Sequence, residues 1–467
     1  MSSRTLRTEI HDPRARLVAP ERLDATIAMR EGRPISGRQL LDMAATIALQ
    51  LPEADFAINL CNDRLAFLLG FIAAMLRGQT TLLPPNRTAG MLDRVIRAHR
   101  SCYAICDAPL PDALGIEEIS LGDIPDPATF AGGENPAIPA EHLALIAFTS
   151  GSTGEPQAQP KRWDLLCHSA DLIGRALGVD ACPGYAAVAT VPVQHMYGLE
   201  TAILLPLRCG SVLTRTRPFF PADIHAALAS LPRPRMLITT PVHLRACMDH
   251  GDWTTPVDLL VSATAPLSAD LSRRVEAASG GRVLEIYGFT EAGSVATRRP
   301  AVDNLWTPFP GIRLLPMPEA GAMRLEADYL QGPHYPQDWI ELAERGRFQL
   351  GGRLSDQINV AGKRTSLAAL DSVLCSIAGV VDGAFFLPDG DTPEDRATRL
   401  SAFAVAPALD AATLIAELRL RIDAAFLPRP LYLVDSLPRQ ANGKLARRDL
   451  QSLAERCART PSEPPPG

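Results

Sequence analysis

Short apolar runs rich in β-branched residues alternate with longer amphipathic segments along most of this chain. Continuous apolar runs are typical of strands covered on both faces, and apolar residues at helical spacing predict the covering helices. The alternation therefore predicts an α/β fold. The strand candidates are residues 56–60, 80–84, 186–191, 211–216, 235–240 and 258–263, and the helix candidates include residues 165–177 and 222–231.

The pattern changes near residues 351–356, where a Gly-rich polar segment interrupts it. Beyond this segment, strand candidates lie at residues 357–360, 383–387 and 400–405, and helix candidates at residues 367–377 and 411–425. These elements predict a small α+β domain with its own core. We therefore expect an α/β protein with a large multi-layer N-terminal body, residues 1–354, and a small mobile C-terminal lid, residues 355–467.

Composition narrows the class of protein. The formal charge of −6 argues against nucleic-acid binding. The nine cysteines include no CxxC pair, which predicts reduced thiols and a cytoplasmic location. The apolar run 65–76 has twelve residues, so it predicts a buried helix rather than a membrane span. Residues 1–16 lack the apolar core of a signal peptide, and the Pro-rich end predicts disorder.

A loop made almost wholly of Ser, Thr and Gly follows the apolar run 143–148. Glycine allows close backbone approach, and successive N–H groups can form a nest that holds an anion. The hydroxyl groups of the same loop add further donors. The alternative is a flexible surface turn. The loop consists of Thr149, Ser150, Gly151, Ser152, Thr153 and Gly154.

A second candidate site is the segment EIYGFTEAGS, residues 285–294. The ring of Tyr287 can present a flat face to a base, and the hydroxyl of Thr290 can bind a phosphate. The carboxylate of Glu291 is an oxygen ligand suited to Mg²⁺. Taken alone, the segment is also consistent with a strand that ends at an N-capped helix.

Three further segments carry polar groups on turns. Residues 261–268 form a strand that gives way to small residues, and residues 351–367 surround a strand with charged side chains. In residues 437–450, an Asn-Gly turn projects Lys444 ahead of a basic helix.

These five segments, in this order, resemble the adenylate-forming superfamily of acyl-CoA synthetases, aryl-acid ligases, adenylation domains and luciferases. The resemblance implies that ATP, with Mg²⁺, activates a carboxylic acid to an acyl-adenylate with release of pyrophosphate, followed by transfer to a thiol. It implies catalytic roles for Lys444, Glu291 (also the metal ligand), Thr290 and His195. It implies nucleotide binding by the loop Thr149–Gly154 and by Thr264, Ala265, Pro266, Glu285, Tyr287, Gly288, Glu341, Arg353 and Arg364.

Two positions depart from the pattern of the relatives. Gln157 stands where most relatives carry a loop lysine, and Lys161 follows four residues later. The Thr-Gly-Asp triplet that binds ribose is also missing. Glu341 and Asp338 are the candidates for that role, and we favour Glu341 because an aromatic-apolar pair precedes it.

The segment 191–200 resembles the start of the family's acyl pocket, with His195 at the position that orients the substrate carboxylate. It contains no Asp to pair with an α-ammonium group, and burying that cation unpaired would be costly. We therefore expect a fatty or aryl acid.

The acceptor thiol belongs to coenzyme A or to the phosphopantetheine of an acyl carrier protein, and it would enter near Gly362. The resemblance leaves these two acceptors open. The alternative function is a catalytically weakened homologue that binds a nucleotide or acyl ligand in a regulatory or scaffold role. A P-loop kinase is excluded because no Gly-Lys-Ser/Thr follows either glycine-rich turn.

Overall fold

The computed structural model describes residues 16–110, 115–124, 126–150, 156–179, 184–251, 253–319, 321–354, 357–360, 363–387, 400–439 and 445–459. The chain divides into two compact units, one formed by residues 1–262 and 275–297 and the other by residues 263–274 and 298–467. This division does not test the domain boundary expected between residues 354 and 355, which stays a prediction.

The first unit carries the strands and helices predicted for the body. Its strands are β1 (Thr26–Arg30), β2 (Arg33–Ser36), β3 (Phe56–Asn59), β4 (Thr80–Leu83), β5 (Cys102–Cys106), β6 (Glu118–Ser120), β7 (Leu143–Ser150), β8 (Pro156–Arg162), β9 (Tyr185–Ala189), β10 (Ser211–Thr214), β11 (Arg235–Thr239), β12 (Leu259–Ser262), β13 (Arg282–Phe289) and β14 (Gly293–Arg298). The helices up to residue 279 are α1 (Gly37–Ala48), α2 (Arg64–Leu76), α3 (Ala89–Ala98), α4 (Trp163–Leu177), α5 (Met196–Leu199), α6 (Leu205–Arg208), α7 (Pro221–Ala229), α8 (Pro241–Asp249) and α9 (Ala269–Ser279). Residues 269–274 of α9 belong to the second unit.

Two sheets form this unit. One has the strand order β6-β5-β3-β4-β7-β8, and the other contains β14-β13-β12-β11-β9-β10-β1-β2. Helix α2 contacts β3 and β4 of the first sheet and β10 of the second. Its side chains are buried from Arg64 to Met75, and Asp63 caps its first turn by accepting from the N–H groups of Leu65 and Ala66. The prediction of a buried helix at residues 65–76 is confirmed.

The central strands of the second sheet are parallel and covered on both faces. Strands β11 and β12 run parallel in the register Met236 to Leu259, and β12 pairs with β13 in the register Ser262 to Glu285. Every residue of β12 is buried. Parallel strands in this setting present apolar side chains on both faces, which explains the continuous apolar runs in the sequence.

The second unit holds smaller sheets. Its strands are β15 (Thr307–Pro308), β16 (Ile312–Pro316), β17 (Met323–Ala327), β18 (Asp338–Leu342), β19 (Phe348–Arg353), β20 (Gln357–Val360), β21 (Lys363–Ser366), β22 (Asp382–Phe386), β23 (Ser401–Val405) and β24 (Leu431–Leu433), and its further helices are α10 (Leu367–Cys375), α11 (Ala411–Arg419) and α12 (Arg447–Arg459).

The sheet β22-β23-β24 separates two small cores. Phe385 packs in the core that includes Leu374 of α10 and Leu414 of α11. Its neighbour Phe386 packs in the other core, with Leu450 of α12. The alternation follows from the pleat of a strand, which sends successive side chains to opposite faces.

The predicted α/β fold class is confirmed, and most predicted strands lie within two residues of the observed ones. The helix predicted at residues 411–425 is too long, because it ends at Arg419 and Asp423 caps a separate 3₁₀ turn at Ala424–Phe426. Among the helices that the structure describes, none is both long and apolar enough to cross a membrane.

Candidate functional site

The predicted anion-binding loop joins two strands that pair up to its edge. Strands β7 and β8 are antiparallel, with Ser150 opposite Pro156 and Thr149 opposite Gln157. This pairing brings the two ends of the loop together. Gly151, Ser152, Thr153 and Gly154 lie outside the described residues, as do the side chains of Thr149 and Ser150. Their phosphate-binding role stays a prediction.

The segment EIYGFTEAGS forms a strand, a tight turn and a second strand. β13 continues to Phe289, and the N–H of Ala292 donates to the carbonyl oxygen of Phe289 at 3.2 Å. The alternative of an N-capped helix is therefore wrong at this position. A Cβ at residue 288 would collide with the backbone of Gly293, which explains the glycine there. The turn presents an exposed Glu291.

Strand β13 places the other predicted residues of this segment at its end. Glu285 is buried, and its backbone carbonyl accepts a hydrogen bond from Thr297 Oγ1 at 2.9 Å. Tyr287 is only 9% exposed, so its ring is largely covered. Thr290 is half-buried at the start of the turn.

Lys161 is directed to the turn that carries Glu291. It is 8% exposed, and its Nζ donates to the backbone oxygen of Glu291 at 2.6 Å. Burial lowers the pKa of this ammonium group to about 8, against the opposing effect of the nearby Glu200 and Glu291 carboxylates. Lys161 lies four positions after Gln157 on β8. The two residues are therefore on the same face of the strand and about 13 Å apart.

Glu200 is a site residue that the sequence analysis did not identify. It begins a π-helical turn, Glu200–Leu204, between α5 and α6, and it is 1% exposed. Its carboxylate accepts from Ser169 Oγ at 2.6 Å, from Ser294 Oγ at 2.6 Å and from the N–H of Ser294 at 3.3 Å. Burial raises the pKa of this carboxyl, while these hydrogen bonds and Lys161 act in the opposite direction.

Two sequence signals could have indicated Glu200. It is an acidic residue inside an otherwise largely apolar segment, residues 199–207. The second signal is Ser294, a short hydroxyl-bearing residue that directly follows Gly293 in a candidate site segment. An acidic side chain in a buried helix needs partners, and serine hydroxyls are suitable donors.

His195 precedes α5 and is half-buried. Two residues later, the hydroxyl of Tyr197 donates to the backbone oxygen of Val261 at 2.8 Å and lies 3.2 Å from that of Thr239. These carbonyls lie at the ends of β12 and β11. Burial raises the pKa of Tyr197 well above its usual value, so the phenol stays a donor. Tyr197 thus ties the segment of His195 to the ends of two central strands.

Thr264, Ala265 and Pro266 follow the end of β12 and belong to the second compact unit. Thr264 is exposed and has a φ of +78°. A β-branched residue in this left-handed region stores backbone strain, and such strain is frequent at ligand-binding sites.

The predicted ribose residues lie on the pair β18–β19. Asp338 stands opposite Arg353, and Glu341 stands opposite Gln349. The carboxylate of Glu341 accepts a hydrogen bond from the indole N–H of Trp339 at 3.0 Å. The choice between Glu341 and Asp338 stays open.

Several predicted residues have no described side chain. Arg353 ends β19, and Arg364 lies in β21 opposite Asn359. For both of them the structure describes the backbone alone. Lys444 and Gly362 lie outside the described residues.

Within the part of the chain that is described, no three His, Cys, Asp or Glu side chains gather as a metal site. Glu291 provides one exposed carboxylate. Mg²⁺ in nucleotide sites is commonly held by one or two carboxylates together with substrate phosphates. The exposed carboxylate of Glu291 therefore fits a metal that arrives with a nucleotide.

Comparison with known proteins identifies the family of this chain. Residues 19–322 match the family described as "AMP-binding enzyme". The chain is 32% identical to a 4-coumarate–CoA ligase of Rhodobacter capsulatus over 309 residues, covering 65% of this chain and 75% of the relative. It is 30% identical to the 4-coumarate–CoA ligase of Halorhodospira halophila, covering 66% of this chain and 76% of the relative.

Solved structures share the fold. ATP-bound MatB from Rhodopseudomonas palustris has a TM-score of 0.78 at 21% identity, covering 93% of this chain and 97% of that one. The anthranilate CoA ligase AuaEII in complex with anthranoyl-AMP has a TM-score of 0.79 at 18% identity, covering 94% and 96%.

The family match spans more than half of the chain, and the relatives are matched over three quarters of their length. The predicted chemistry, adenylation of a carboxylic acid followed by thiol transfer, is confirmed at the level of the family. The chain therefore belongs to the AMP-binding enzyme family of adenylate-forming proteins.

Proposed function

We propose that this protein uses ATP to activate an apolar aryl or fatty acid and transfers the acyl group to the thiol of coenzyme A. The observation that carries this proposal is the match to 4-coumarate–CoA ligases at up to 32% identity over three quarters of their length.

In the proposed first step, a carboxylate oxygen of the acid attacks the α-phosphorus of ATP. The bond from that phosphorus to the bridging oxygen breaks, and pyrophosphate leaves with the electron pair. In the second step, the thiol sulfur attacks the acyl carbon, the thiol proton passes to solvent, and AMP leaves with the bonding electrons of the acyl–oxygen bond.

The site residues of this proposal keep the roles that the resemblance implies. Lys444 neutralises charge on the acid and the α-phosphate, because a fixed ammonium group stabilises a crowded anionic transition state. Thr290 contacts the α-phosphate, and His195 orients the acid. The loop Thr149–Gly154 holds the terminal phosphates.

The nucleoside is held by a second group of residues. Tyr287 stacks on the base, and its strand neighbours Glu285 and Gly288 line the same side of the base-binding site. The remaining nucleotide-binding residues are Thr264, Ala265, Pro266, Glu341, Arg353 and Arg364. We place the boundary between the body and the lid at residues 354 and 355.

Glu291 is the proposed ligand for Mg²⁺. Bound with the nucleotide, the metal would offset the charge of the triphosphate. The protein's own contribution is to hold this carboxylate on a tight turn, at a position set by Lys161 through the backbone oxygen of Glu291.

We expect an apolar acid because the described segment 191–200 offers no free acidic partner for an ammonium group. The acidic residue of the segment 191–200, Glu200, is buried and already accepts hydrogen bonds from two serines. An amino-acid substrate would leave its ammonium group without a partner. The acid named for both curated relatives, 4-coumarate, carries no ammonium group, which supports this expectation.

We place the reaction in the cytoplasm. The eight described cysteines are all free, as expected for a reducing compartment. Coenzyme A is the acceptor we favour because the curated relatives are CoA ligases. A carrier protein would replace it only if the acyl group moves to a phosphopantetheine arm faster than to coenzyme A.

The proposal is tested by carboxylate-dependent pyrophosphate exchange over a panel of aryl and fatty acids. We expect exchange with aromatic acids and none with amino acids, and we expect Lys444→Ala to reduce exchange by at least about a hundredfold. Exchange that persists in Lys444→Ala would refute the role of that lysine. Formation of the acyl-CoA, followed by chromatography, then tests the acceptor.

A second candidate function is a catalytically weakened homologue that binds a nucleotide or acyl ligand. The exposed Gln157, where relatives carry lysine, favours it. Binding of ATP without exchange for any acid of the panel would support this candidate over the first.

A further inference from the structure

The turn that carries Glu291 is held from two sides by buried charged residues. On one side, Lys161 of β8 donates to the backbone oxygen of Glu291 at 2.6 Å. On the other side, the carboxylate of Glu200 accepts hydrogen bonds from both the N–H and the hydroxyl of Ser294, which follows Gly293.

The contact with Glu200 also shapes the backbone of the turn. Gly293 has a φ of +79°, and a Cβ at this position would lie 2.6 Å from Glu200 Oε1. The carboxylate therefore packs directly against the glycine. Ser169 of α4 also donates through its Oγ to Glu200, at the same Oε1 that accepts the N–H of Ser294.

These buried charges are a costly way to stabilise a fold. Removing a carboxylate and an ammonium group from water costs several kcal/mol each, and well-packed apolar side chains often stabilise such a site as well or better. What the charged groups provide is direction, because hydrogen bonds to an ionised group are short and geometrically defined.

We propose that Glu200 and Lys161 are positioning residues that orient the turn 290–293, so that the carboxylate of Glu291 points toward the metal-bound nucleotide. This inference rests on the proposed function, since it assigns Glu291 to Mg²⁺. Neither residue touches substrate. Each acts through the backbone of the turn, Lys161 before Gly293 and Glu200 after it.

Two serine variants separate positioning from stability. Ser294→Ala and Ser169→Ala each delete one hydroxyl bonded to Glu200 at 2.6 Å, but only Ser294 belongs to the strand that leaves the turn. Lys161→Met removes the donor to Glu291 and keeps an unbranched side chain of similar length. Ser169→Ala is the matched control.

The readout is binding of a non-hydrolysable ATP analogue by calorimetry, with and without Mg²⁺, in the absence of any acid. We expect Ser294→Ala and Lys161→Met to lower the Mg²⁺-dependent gain in affinity at least about tenfold, the effect of one hydrogen bond to a charged group. Metal-free affinity stays within about twofold, and Ser169→Ala keeps the full gain.

Thermal unfolding of the apo proteins completes the comparison. We expect Ser294→Ala and Ser169→Ala to lower the melting temperature by similar amounts, because each loses one buried hydrogen bond. A Mg²⁺-dependent gain that is unchanged in Ser294→Ala and Lys161→Met, beside a lowered melting temperature, would overturn the inference and leave a purely structural role.

Failure of the proposed function gives a different result. If wild-type protein does not bind the analogue at any Mg²⁺ concentration, the nucleotide site itself is wrong, and the positioning role falls with it. If the wild type binds with a clear Mg²⁺ gain and the two variants keep it, only the positioning role is refuted.

Discussion

Replacing Gly293 by alanine tests whether Glu200 packs against the turn as the structure shows. Alanine at a φ of +79° brings backbone strain of about 1 kcal/mol. The new Cβ would lie 2.6 Å from Glu200 Oε1, so the carboxylate must move away from its serine partners. Losing one or two such bonds to a charged group adds about 2–4 kcal/mol. The expected total is therefore about 3–5 kcal/mol.

The assay is urea unfolding followed by circular dichroism, with Gly280→Ala as the matched control. Gly280 has a φ of +75°, and a Cβ there meets nothing within 4 Å. Its replacement should cost only the strain, about 1 kcal/mol.

A double-mutant cycle identifies the source of the larger cost. In a Glu200→Ala background, we expect the cost of Gly293→Ala to fall to about 1 kcal/mol, because the side chain it collides with is gone. Equal costs for Gly293→Ala and Gly280→Ala in the wild-type background would refute the packing argument. An unchanged cost in the Glu200→Ala background would also refute it.

Three further outcomes are expected. Gln157→Lys places a cation on an exposed position beside the predicted phosphate-binding loop. We expect it to raise kcat/KM for ATP about fivefold, which corresponds to about 1 kcal/mol of screened attraction. An unchanged kcat/KM would contradict this role of the position. Tyr197→Phe removes the hydroxyl that donates to the strand-end carbonyls. It should lower the free energy of unfolding by about 1–2 kcal/mol and raise KM for the acid more than KM for ATP. Equal changes in the two KM values would exclude a link to the acyl pocket. Hydrogen bonds from Arg233 lower the pKa of Asp258 below the unfolded value of 3.8. The contribution of Asp258 to folding stability is therefore present above pH 3.8 and is lost as pH falls through the folded pKa. Arg233→Gln should reduce the drop in melting temperature that wild type shows between pH 5 and pH 3, and an equal drop would argue against this pair.

Much of the fold could be predicted from local pattern. The apolar runs of the body predicted strands because buried parallel strands need apolar side chains on both faces. The run 65–76 predicted a buried helix because it is apolar all round, and the structure buries it between two sheets. Helix ends were less predictable, as the early end of α11 shows, because caps such as Asp423 compete with weak local propensity.

The sequence by itself determined the family, since five polar segments in a defined order follow predicted strands, and each can be recognised from a short stretch of residues. Tertiary structure alone decided what holds the turn of Glu291. Lys161 and Glu291 are 130 residues apart, and Ser169 and Ser294 lie 31 and 94 residues from Glu200. Hydrophobic periodicity carries no information about such partners, because they meet only after the sheets and helices between them have packed.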